Sequence, residues 1–197
     1  RFPDADPRIR LLPRVTREAP NAAPAPGPVV ITEIHYNPSD PEAEFVELLA
    51  REDVALGGWS LENAVRFEFP AGMALKAGSR LAVARDPGRI AAGDPAAVIL
   101  GPYRGRLAND AEEILLADAD GRPIDRVRYA DDGTWPREAD GGGSSLELVD
   151  ASRENEAGAA WRASLLPGGT PGLENSVAAL DSPPVIDFLG HGPLVPG

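Results

Sequence analysis

"WPREADGGGSSLELVD" (135–150) admits two readings. Three consecutive glycines followed by two serines could cradle a phosphate, which requires a strand before the loop and a helix starting at its end. The same stretch could be a turn between two strands. The residues after the glycines separate the two. In "SSLELVD" (144–150), Leu146 and Leu148 alternate with polar neighbours, which is the period of a strand and not of a helix. No Gly-Lys-Ser or Gly-Lys-Thr is present. The glycines are therefore expected to supply unusual backbone angles in a tight connection.

Upstream, the same kind of run recurs. "VVITEIHY" (29–36) is rich in β-branched residues and ends at the turn signal "NPSD"; "EFVELLA" (44–50) follows. Then come "GGWSLEN" (57–63), "VRFEFP" (65–70), "RLAVARD" (80–86), "AAVIL" (96–100), "EEILLAD" (112–118) and "PIDRVRYAD" (123–131), and downstream "AWRAS" (160–164). Short runs spaced about ten residues apart and broken by Gly, Pro and Asp predict an all-β sandwich or barrel. Helical periodicity is weak; "DPGRIAAGDPAA" (86–97) is the place for a helical turn, with Gly93 ending it.

The two ends read differently. Residues 1–28 include "PNAAPAPGP" (20–28), an extended spacer composition, so they are expected to be a Pro/Ala-rich linker or tail, with "RIRLLPRV" (8–15) as a candidate docking strand. Residues 176–197 are expected to be a linker or the start of a following domain at "PPVIDFL".

Of the 197 residues, 43% are hydrophobic, enough for one substantial core. The absence of cysteine excludes disulfides, thiolate metal sites and cysteine nucleophiles. The formal charge of −12 makes nucleic acid an unfavourable partner. No apolar run is long enough for a transmembrane segment.

Candidate chemistry is sparse. "DADG" (118–121) begins like a calcium loop but has its glycine too early, so an Asp-Gly hairpin turn is expected. His35 is read as a half-exposed strand residue, and His191 lies in the C-terminal tail. Neither has the spacing of a zinc site, and no G-x-S-x-G elbow occurs. Glu33, Glu44 and Glu47 sit in or beside strands, with Arg66, Arg80 and Arg126 as possible partners. Cross-strand ion pairing on solvated faces is the first reading; a calcium site and a paired-carboxylate glycosidase are the alternatives. Trp59 and Tyr129 are expected in the core, and Trp135 is left open between core and surface. No catalytic, cofactor-binding or metal-binding residue is assigned, and no cofactor is called for.

Taken in order, "ITEIHYNP", "EFVELL", "LGGWSL", "FEFPAG", "LKAGSRLAVA", "ANDAEEILLADADGRPIDRVRY", "WPREADGGGSSLELVD", "NEAGAAWRAS" and "GTPGLENS" resemble the bacterial lamin tail domain, over about Val29 to Asn175. In that resemblance Trp135, Asp140, Gly141 and Ser145–Leu148 fall on the signature turn and strand of the family. An asparagine common after its second strand is replaced here by "LLAREDVAL". The resemblance implies an immunoglobulin-like fold, a secreted or cell-surface setting and a module without catalysis.

The expectation is thus an all-β, immunoglobulin-like β-sandwich, a single domain over 29–175 with extended tails. Its core should contain Ile31, Phe45, Leu48, Trp59, Leu61, Phe67, Phe69, Leu81, Val83, Ile114, Leu116, Val127, Tyr129, Leu146, Leu148 and Trp161. The expected function is a non-catalytic binding or scaffolding module of a larger secreted or cell-surface bacterial protein. Its partners would be neighbouring domains of the same polypeptide, another envelope protein or a polysaccharide. The alternative is a calcium-dependent adhesion or carbohydrate-binding domain.

Overall fold

The computed structural model describes residues 27–178. The spacer at 20–26, the candidate strand at 8–15, "PPVIDFL" and His191 lie outside the described residues.

Within them the chain forms thirteen strands and four short 3₁₀ turns. The strands are β1 (Val29–His35), β2 (Phe45–Ala50), β3 (Val54–Ala55), β4 (Ser60–Asn63), β5 (Val65–Glu68), β6 (Ala74–Leu75), β7 (Arg80–Ala84), β8 (Val98–Leu100), β9 (Arg104–Gly105), β10 (Ala111–Ala117), β11 (Pro123–Ala130), β12 (Leu146–Leu148) and β13 (Trp161–Ala163). One sheet has the order β13-β12-β1-β2-β7-β8; the facing sheet has the order β11-β10-β4-β5-β9; β3 and β6 make a small ribbon. All pairs are antiparallel except β7 with β8. This is an immunoglobulin-like β-sandwich.

The two sheets close on one apolar core. Ile31, Val46, Leu48, Leu81, Val83, Leu146, Leu148 and Trp161 from the first sheet meet Leu61, Val65, Ile114, Leu116, Val127 and Tyr129 from the second. These residues alternate along each strand, as a half-buried sheet face requires. Trp59, at the edge of this core, is 9% exposed. Two expectations need correction. Phe67 is only half-buried, packed edge-on against Phe69 at 5.2 Å. Phe45 is buried, but in a separate cluster with Ala82 and Ala84 on the opposite face of the first sheet.

That second cluster matters, because it shows that the first sheet is covered on both faces. All seven residues of β1 are buried. The inner face meets the other sheet. On the outer face, Ile90 from the loop after β7 and Ile99 of the edge strand β8 pack on the Phe45 cluster, and the segment after β13 crosses β12, β1 and β2. The region 86–97 makes only a 3₁₀ turn, Pro87–Arg89, opened by Asp86, whose side chain accepts from Gly88 N. No helix reaches Gly93 there.

The chain enters a strand, not a helix, after the glycines: β12 begins at Leu146 and pairs with β1 through Glu33 and Ile34. Gly141 and Gly143 have φ of +71° and +88°. Between them, a Cβ on Gly142 would lie 2.3 Å from the Glu138 carbonyl oxygen. The tract bends the chain back on a 3₁₀ turn (Arg137–Ala139) where side chains would not fit. The Asp-Gly turn at 118–121 joins β10 to β11 as expected: Asp118 N donates to Arg122 O, and Asp118 Oδ1 accepts from Asp120 N and Arg122 N.

Candidate functional site

Glu33, Glu47 and Glu147 form one row across three adjacent strands. Glu33 is the register partner of Glu147 on one side and of Glu47 on the other. All three are fully buried, so the reading of solvated ion pairs is wrong for these carboxylates. Three carboxylates side by side in a low dielectric repel each other and lose their hydration, and such a row stands only if donors surround it.

The donors come chiefly from "GTPGLENS" (169–176), folded as a strap over the row. Thr170 N donates to Glu33 Oε1 at 2.8 Å, and Gly172 N donates to Glu47 Oε2 at 2.7 Å. Ser176 Oγ and Val177 N donate to Glu147 Oε2 at 2.7 and 3.2 Å. From the sheet itself, Ser145 Oγ donates to Glu33 Oε1 at 2.5 Å. A bulge between Ile31 and Glu33 lets Thr32 join them, its Oγ1 donating to Glu47 Oε1. Arg80 supplies the one cation, 3.2 Å from Glu47 Oε1. Asn175 ties the strap down by donating to the carbonyls of Thr32 and Leu148.

The proton inventory is informative. Thr170 Oγ1 lies 2.8 Å from Glu147 Oε1 and 3.2 Å from Glu33 Oε2. A hydroxyl has one proton to give. A protonated Glu33 supplies the second, donating to Thr170 Oγ1 while Thr170 donates to Glu147. The electrostatics agree: burial, reinforced by the Glu47 carboxylate, pushes Glu33 up to about 8. Burial also pushes Glu47 up to about 7, against the opposing pull of Gly172 N and Arg80. The row is an internal network closed to solvent, its oxygens taken by the chain's own donors, and it offers no face to a substrate.

Glu44 is also buried, at the start of β2. It accepts from Tyr103 Oη at 2.9 Å and Leu107 N at 3.1 Å, with Arg106 3.1 Å from its other oxygen. Burial and this carboxylate hold the Tyr103 hydroxyl well above its ordinary range. His35 is not half-exposed but 4% exposed, edge-on to Phe45, and burial lowers it to about 4. Arg126 pairs with Glu156 and Glu113 on the surface, not with the buried row. Tyr129 is core and Trp135 leans on Trp161, its ring centroid 6.0 Å away. Among the described residues, no group of three or more His, Cys, Asp or Glu side chains is placed to hold a metal ion. No helix among them is long and apolar enough to cross a membrane.

A surface concavity lies elsewhere, on the outer face of the second sheet. It is an open groove of about 640 Å³ over β4, β5 and β9. Ser60, Glu62, Arg66, Glu68 and Arg104 line it, with Phe67 and Pro102 as its apolar part. Ser60 stands opposite Glu68 and Arg66 opposite Arg104 in the strand register. Ser60 Oγ donates to Glu62 Oε1 at 2.8 Å. Asn63, with φ of +70°, turns its amide to Glu113 at the groove's end. Arg66 was singled out in the sequence as a partner for buried carboxylates; it pairs with none of them. Arg104 and the groove itself were missed, because β9 is only two residues long and carries no hydrophobic signal.

The lamin tail domain family model matches residues 22–131. No curated protein matches the chain.

Proposed function

We propose a non-catalytic binding role for this chain, which belongs to the lamin tail domain family, a family of immunoglobulin-like domains. The groove over β4, β5 and β9 is the binding face. The module serves a larger secreted or cell-surface bacterial protein, holding it to an envelope protein or polysaccharide or to a neighbouring domain of its own polypeptide.

One observation carries this reading. The carboxylates that a paired-acid mechanism would use are sealed beneath the strap with their oxygens taken by the chain's own donors. Glu62, Arg66, Glu68 and Arg104, by contrast, are exposed and border an open groove on a sheet face. A groove of this size suits a ligand segment, and a sheet face holds its side chains in fixed register. The −12 charge disfavours nucleic acid.

Cosedimentation with insoluble cellulose, chitin, pectin and purified bacterial envelope tests it. The expected result is retention on at least one of these, abolished by Ser60→Trp, which fills the groove without touching the buried row. Failure to bind any of them, or binding indifferent to Ser60→Trp, overturns the proposal.

A further inference from the structure

Arg66 and Arg104 face each other across β5 and β9. On a sheet face, directly opposed side chains have their Cβ atoms about 5 Å apart, and like charges there destabilise the pair. In this chain, carboxylates outnumber cations by 31 to 19. Lys76, Arg89, Arg122, Arg126, Arg128 and Arg153 each have a carboxylate within 4.0 Å, whereas the exposed Arg137 and Arg162 make no ion pair among the described residues. Arg66 and Arg104 make no ion pair among the described residues, although Glu62 and Glu68 stand on neighbouring positions of the same groove. Two uncompensated guanidinium groups side by side in a concavity form a pair of forks suited to a planar or tetrahedral oxoanion.

We infer that this pair is an oxoanion subsite for an acidic polysaccharide, a sugar chain carrying carboxylate or sulfate groups among hydroxyls. The inference rests on the groove being the binding face. The surroundings select this ligand class. Glu62 and Glu68 would repel a chain bearing a charge on every unit, such as a nucleic acid. They are good acceptors for sugar hydroxyls, as Ser60 is a good donor or acceptor. Phe67 and Pro102 provide an apolar patch for the C–H side of a ring. A ligand with one anionic group flanked by hydroxyls satisfies all of these groups together.

Affinity electrophoresis of the protein through gels holding sparsely carboxymethylated dextran, sparsely sulfated dextran or plain dextran tests the inference. Retardation is expected with one or both acidic polymers and not with plain dextran, and it should weaken as salt is raised. The double variant Arg66→Gln/Arg104→Gln should weaken binding about tenfold or more, the loss expected for charge-assisted hydrogen bonds. Glu68→Gln should tighten it, by removing a negative charge beside the pair. Both arginines are exposed and make no ion pair among the described residues, so the melting temperature should hold or rise slightly as the like-charge contact is removed. Equal binding to plain dextran, or acidic-polymer binding unchanged in the double variant, overturns the inference. Absence of binding to either acidic polymer overturns it too, and leaves the groove standing if Ser60→Trp still abolishes retention on envelope material.

Discussion

Glu33 and Thr170 stand 137 residues apart in the chain, yet the Thr170 backbone N–H and hydroxyl both lie within hydrogen-bond reach of the Glu33 carboxyl, at 2.8 and 3.2 Å. The contact joins the first strand to the last described loop and holds the strap over the middle of the sheet. The strap is therefore a part of the fold, and its removal leaves three carboxylates facing solvent from the centre of a sheet whose other face is core.

Thr170→Val keeps the shape and removes the hydroxyl. Glu147 then loses a donor and Glu33 an acceptor inside a dry network, which should lower stability by about 1–3 kcal/mol. Urea unfolding measures this; an unchanged midpoint would show that water replaces the hydroxyl.

Gly169 and Gly168 provide a matched pair. Both have positive φ, +82° and +84°. A Cβ on Gly168 meets nothing, whereas one on Gly169 would lie 2.0 Å from Glu33 Oε1. Gly168→Ala should show only the backbone penalty of about 1–2 kcal/mol. Gly169→Ala should exceed it clearly, because the strap must lift. Comparable melting temperatures for the two variants would mean that Glu33 yields freely.

The pH dependence follows from the raised carboxyls. Glu33 at about 8 and Glu47 at about 7 bind protons more tightly folded than at their ordinary 4.5. Stability from this pair is full below about pH 4.5 and declines as pH rises through 7 and 8. His35 has the opposite sign: held neutral at about 4, it contributes above its ordinary 6.5 and fails as pH falls towards 4. The melting temperature should pass through a maximum on the acid side of neutrality. Glu33→Gln imitates the protonated carboxyl, its amide donating to Thr170 Oγ1. The variant should match the parent near pH 5 and melt higher at pH 9. A parent that melts as high at pH 9 as the variant would contradict a proton on Glu33.

Trp161 is fully buried, and its Nε1 donates to Asn155 O at 2.7 Å. Trp161→Ala removes a large core side chain together with that bond and should destabilise by about 3–5 kcal/mol. Thermal or urea melts check it, and a loss below about 1 kcal/mol would place the ring outside the core.

Much of the sandwich was readable from alternation. Leu146 with Leu148 and Leu81 with Val83 announce strands because a period of two is local information. The buried row was not readable that way. Glutamate between apolar residues, as in "TEI", "VEL" and "LEL", looks like an ordinary solvent-facing position when one strand is viewed alone. What hides it is a segment more than a hundred residues downstream of Glu33 and Glu47 and 23 to 30 residues downstream of Glu147, and no local pattern records that cover. A signal did exist: three strands each place a glutamate inside an otherwise apolar run, and in "VVITEIH" the apolar residues leave no solvated face. The groove was less legible still. Its arginines matter through the register of β5 with β9, which sequence spacing does not reveal.

The strap is the last described piece of chain, while the strand it seals is the first. A ribosome delivers the two in that order. Until residues near Val177 emerge, the central strands must wait with their acidic side chains unsheltered, so this domain matures only near the end of its own synthesis. A version shortened to Asp131, where the family match stops, would lack β12, β13 and the strap together, and should be recovered as an open, protease-sensitive chain.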